Sequence, residues 1–141
     1  MGEMLRRARE TRMGSGDFPV LNTLAMAAAY SPREGEPLGA ELPFEPETCR
    51  LRPEVWARWL EHDPVRFVPR AADSFRKLST VFLDCGEADE FQLRWGVRMV
   101  AEALARAGIE AVHEEFEGEH GGNDHRFSRS LRVVVPRMAR E

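Results

Sequence analysis

Two short stretches of this chain read as β-strand, and they limit what the rest can build. Leu78 to Asp84 (LSTVFLD) is a compact apolar run with β-branched and aromatic members, closed by Gly86, which predicts a buried parallel strand. Ile109 to Phe116 (IEAVHEEF) reads as a second strand, more polar and so nearer a sheet edge. Between them, Phe91 to Ala107 predicts a helix: Asp89 stands where an N-cap belongs, Gln92 follows three residues later as in a capping box, and Gly108 marks the stop. A last helix begins near Asn123, with Phe127, Leu131, Val134, Val135 and Met138 spaced for an inward face, and Pro136 predicts a kink or early end. This order makes an α/β fold, a βαβα unit with a right-handed crossover and functional loops at the carboxyl ends of its strands. Two parallel strands cannot form a sheet that these helices cover on both faces, so the sheet is incomplete.

The preceding half is helical and proline-rich. Residues 3 to 12 alternate acid and base and read as a surface helix or a frayed leader. DFPVLNTLAMAAAY, from Asp17, predicts a mostly buried helix ending near Tyr30, with proline in its first turn. Pro32, Pro37, Pro43, Pro46 and Pro53 then mark an extended loop. Pro53 starts a short helix that places Val55, Trp56, Trp59 and Leu60 on adjoining positions, predicting two buried indoles, and a helical turn follows around Ala71 to Lys77. At 141 residues the chain suits one domain, here residues 1–141 as a single partial domain, with a helical Pro-rich segment 1–77 and the βαβα unit 78–141.

A net charge of −4 offers no overall positive field for nucleic acid or anionic lipid, and no apolar run is long enough to span a bilayer. Cys49 and Cys85 form no disulfide framework and match no zinc motif, so a cytoplasmic location without a bound cofactor is the expectation.

The chemistry-bearing residues gather after the strands, in Gly86-Glu87-Ala88-Asp89-Glu90 and in Gly118-Glu119-His120-Gly121-Gly122. Adjacent parallel strands lie about 4.8 Å apart, so an acid after one and a histidine after the next can meet. The carboxylate can then fix the imidazole tautomer and leave Nε2 as a general base. Read from the residues alone, Asp89 as a helix cap and His120 as an exposed loop residue are the commoner fates. His113, His120 and His125 with Glu117 and Asp124 fit no metal signature, and no metal is expected. His62 reads as a helix-end residue, and Cys85 as a small buried hydrophobe without a role.

From about Asp17 onward the sequence resembles the esterases of the α/β-hydrolase superfamily akin to esterase D and the enterochelin-esterase-like enzymes. The resemblance lies in LNTLAMAAAYSP, PLGAELPF, VWARWLEHDPVR, FLDCGEADEF and EEFEGEHGGNDHRF, in that order. It implies the C-terminal portion of an α/β-hydrolase fold, with Asp89 as triad acid, His120 as triad base, and a small-molecule carboxylic ester as the substrate of the full-length parent. The superfamily order is serine, acid, histidine, so the nucleophile should precede Asp89 in a G-x-S-x-G elbow. Ser15, Ser31, Ser74, Ser79, Ser128 and Ser130 all lack that setting; Ser15, between Gly14 and Gly16, comes nearest. The nucleophile is therefore expected outside this chain, which alone should not hydrolyse esters. The competing readings are a non-catalytic interaction module using the proline-rich loop and tryptophan helix, or a pseudoenzyme on an α/β scaffold, and self-association through open strand edges.

Overall fold

A computed structural model describes residues 17–138; the segment 3–12 and Ser15 lie outside them. The chain is mixed α/β and forms two compact units that divide between His62 and Asp63, so the short helices after Asp63 group with the sheet.

The first unit holds α1 (Phe18–Tyr30), the proline-rich stretch, and α2 (Pro53–Glu61). Isolated antiparallel bridges, Pro32 with Ala40 and Phe44 with Leu51, fold the stretch back on itself. Its core is Ala27, Ala40, Leu42, Val55 and Trp59, flanked by Leu24, Tyr30 and Phe44. Burial differs from the sequence expectation in two places. In α1 only Ala27 is buried, because the stretch covers a single face of that helix. In α2 Trp59 is buried while Trp56 stays 37% exposed. The difference is a hydrogen-bond partner: the Trp59 indole N–H donates to Ser31 Oγ at 2.9 Å, and that hydroxyl donates to the Glu41 carbonyl at 2.7 Å. A buried indole needs such an acceptor. His62, at the end of α2, stacks on Tyr30 with centroids 4.4 Å apart.

Glu41 is also buried, at 5% exposure, and accepts from three arginines: Arg58, Arg33 at 2.8 Å and Arg52 at 2.8 Å. The Arg58 bond foremost, with those from Arg52 and Arg33, outweighs burial and holds the carboxyl at about 2.

The second unit holds α3 (Pro64–Phe67), α4 (Ala72–Phe75), β1 (Phe82–Gly86), α5 (Leu93–Arg106), β2 (Val112–Phe116) and α6 (Asp124–Met138). The two strands pair in parallel, Phe82 opposite Val112 through Gly86 opposite Phe116. Both begin later than expected. Leu78 closes a turn onto Phe75 instead and is 55% exposed. Ile109 belongs to the end of α5, where its N–H bonds Leu104 O while Gly108, at φ +70°, bonds Ala105 O, a Schellman closure.

Leu83 packs with Val100, Leu104 and Ile109 beneath α5. The opposite sheet face presents Asp84 and Glu114, register partners of like charge. Placed directly opposite, two carboxylates repel unless cations bridge them. Arg126 of α6 does so, with Nε 3.1 Å from Asp84 and a terminal nitrogen 2.8 Å from Glu114, and Arg129 adds a second guanidinium on Glu114. The Arg129 and Arg126 bonds hold the Glu114 carboxyl at about 2. The expected inward face of α6 is thereby corrected. It meets the sheet through the Arg126 and Arg129 ion pairs and the His125 ring against Phe116, Val134 is half-buried, and Phe127, Leu131, Val135 and Met138 stand 54–66% exposed. Pro136 lies in the last turn, and the helix continues two residues past it. No described helix is long and apolar enough to cross a membrane.

Candidate active site

The loops after β1 and β2 continue the strand pairing past the sheet. Glu87 N–H donates to Phe116 O at 2.8 Å and Ala88 N–H to Gly118 O at 2.9 Å. Gly86 makes this approach feasible, since a Cβ there would meet the Gly118 and Glu119 carbonyl oxygens, the latter at 2.6 Å.

This pass brings the two anticipated residues together across 31 positions of chain: His120 Nδ1 lies 3.0 Å from Asp89 Oδ2. Asp89 is 4% exposed. Its Oδ1 accepts from Phe91 N–H at 2.9 Å and Leu93 N–H at 3.3 Å, and Oδ2 also takes the Cys85 thiol at 3.7 Å. The cap and partner roles therefore coexist on one carboxylate. The capping geometry departs from a standard box: Gln92, at φ +58°, occupies the N-cap position, and its side chain reaches back to the Asp89 carbonyl rather than to the N–H.

Burial by itself would raise the Asp89 pKa, but the hydrogen bonds from His120, Leu93 and Phe91 hold it below the usual value. An ionised carboxylate only accepts, so this contact favours, for a neutral imidazole, the tautomer with its proton on Nδ1 and a lone pair on Nε2. Burial, reinforced by the Asp89 charge, pushes the Cys85 thiol up, which keeps it protonated and poorly nucleophilic.

The His120 side chain is 48% exposed, with the Phe91 ring edge-on at 4.8 Å. It lines a cleft of about 340 Å³ with Asp84, Asn123, Arg126, Phe127 and Ser130. Ser130 Oγ donates to Phe127 O within its own helix. His125 lies against Phe116 and His113 near Glu115; among the described residues no group of three His, Cys, Asp or Glu side chains is arranged to hold a metal ion.

Two contributors were not legible in the sequence. Glu90 Oε2 accepts the His120 backbone N–H at 3.1 Å, and Asn123 Nδ2 donates to the carbonyls of His120 and Glu119 at 2.9 and 3.0 Å. Glu90 stands in the polar cluster after the first strand and Asn123 three residues past His120, but neither position marks these bonds.

No protein-family model matches this chain, and no curated protein matches it.

Proposed function

We propose that this chain carries the acid–base half of a serine carboxylic-ester hydrolase of the α/β-hydrolase type, as the C-terminal portion of that fold. The observation that carries the reading is the contact of His120 Nδ1 with a buried aspartate whose two oxygens are filled by donors. In such an enzyme His120 Nε2 takes the proton of a serine hydroxyl as its oxygen attacks the ester carbonyl. Asp89 stabilises the resulting imidazolium, and the same proton passes to the departing alkoxide. Water then repeats the sequence on the acyl-serine and releases the acid. Substrates are small-molecule esters, and no cofactor enters the chemistry.

The serine comes from polypeptide other than these residues. Two features support that: among the described residues the two strands each have an edge without a sheet neighbour, and Phe127, Leu131, Val135 and Met138 form an exposed apolar stripe on α6. The same stripe favours a second reading, a non-catalytic module that self-associates through these surfaces.

Labelling native protein with a fluorophosphonate, followed by peptide mapping, tests the first reading. The expected result is a labelled serine outside the present sequence, on a protein that also yields the Asp89 and His120 peptides, with labelling lost in His120→Ala. A folded native protein that resists the probe, or purified chain that hydrolyses p-nitrophenyl acetate in a His120-dependent way, would overturn it.

A further inference from the structure

Histidines that act as bases are usually discussed through the ring, yet the main chain of His120 is held as closely. Both of its backbone polar groups are taken by side chains: the N–H by Glu90 from the first loop, the C=O by Asn123 from the second. Adjacent residues of one loop thus grip one histidine in two directions, Asp89 on the ring and Glu90 on the backbone. Asn123 also binds the Glu119 carbonyl, so the peptide units on both sides of His120 are fixed. The loop contains Gly118, Gly121 and Gly122, Gly122 at φ +72°, and so has intrinsic freedom that only such bonds remove.

We propose that Glu90 and Asn123 are positioning residues that clamp the His120 backbone, so that Nδ1 stays on Asp89 and Nε2 is held toward the cleft. This rests on the reading of Asp89 and His120 as an acid–base pair. Neither residue touches a reacting atom; each acts by restricting the loop that carries the imidazole, the second layer of support that a preorganised base requires.

The test uses the purified 141-residue chain labelled with ¹⁵N, reading the His120 tautomer from ring nitrogen shifts and the His120 amide proton directly. Wild type is expected to show the Nδ1–H form predominating. Glu90→Ala should lower the ratio of Nδ1–H to Nε2–H forms roughly threefold or more, the effect of one ordinary hydrogen bond, and shift the His120 amide upfield. Glu90→Gln, which keeps an acceptor oxygen, should restore both signals. Asn123→Asp, isosteric but without the donor, should lower the ratio as Glu90→Ala does. Far-UV circular dichroism should stay unchanged in all three, since Glu90 is exposed and Asn123 lies in a loop. The proposal is overturned if Glu90→Ala and Asn123→Asp leave the ratio and the amide shift as in wild type, or if Glu90→Gln behaves as Glu90→Ala does. A wild-type imidazole with no preferred tautomer would instead sink the acid–base pair, with the amide shift still deciding whether Glu90 holds the backbone.

Discussion

Replacing Gly86 by alanine is the smallest change that should separate the two loops. The added Cβ would sit 2.6 Å from the Glu119 carbonyl oxygen, with Gly118 also in its way, and both are backbone atoms that cannot swing aside. To reach ordinary contact the second loop must retreat by about 0.8 Å or more, a small-to-large change of the kind that costs ~1–3 kcal/mol. The retreat also stretches the Glu87–Phe116 and Ala88–Gly118 bonds, each worth about 1 kcal/mol net. The expected loss is about 2–4 kcal/mol, or about 10 °C or more in Tm for a unit of this size. Gly96 is the internal control: it lies inside α5 with open space around it, so Gly96→Ala should stabilise by ~0.5–1 kcal/mol. Urea unfolding followed by circular dichroism measures both. A Gly86→Ala protein within about 0.5 kcal/mol of wild type would refute the close pass of the loops.

Acid should loosen the first unit through Glu41. Its folded pKa of about 2 lies below the ordinary 4.5, so its stabilising effect is complete above pH 4.5 and is lost as pH falls from there through about 2; the Trp59 indole N–H resonance should report this, and Glu41→Gln should abolish the dependence. In the second unit Leu104→Ala should cost about 2–5 kcal/mol by urea unfolding, because Leu104 is 1% exposed among Val68, Ala103 and Ile109. A loss under about 1 kcal/mol would show that this cluster does not hold α5 to the sheet.

The parts legible in the sequence were those governed by local chemistry. Proline in the first turn and Gly108 at the stop located the ends of α1 and α5, and the parallel pairing followed from a helix between two strands. The meeting of Asp89 with His120 also followed, since both lie just beyond paired strand tips. Partnership was what periodicity could not supply. Phe127, Leu131 and Met138 have inward spacing, but the face α6 meets carries Asp84 and Glu114, which became neighbours only through a register set 30 residues apart. Trp56 and Trp59 look alike in sequence, and Ser31, distant along the chain, decides which is buried. Glu90 and Asn123 bond to main-chain atoms, which leave no mark in a side-chain motif.

The guanidinium of Arg126 joins side chains from both strands to one helix. Greasy contact tolerates a helix sliding by a turn, whereas a rivet through two strands does not. The segment between Phe116 and Asp124 is consequently fastened at each end, and its length becomes a design constant. Adding or deleting even one residue there would leave the rivet in place and carry the imidazole away from its carboxylate.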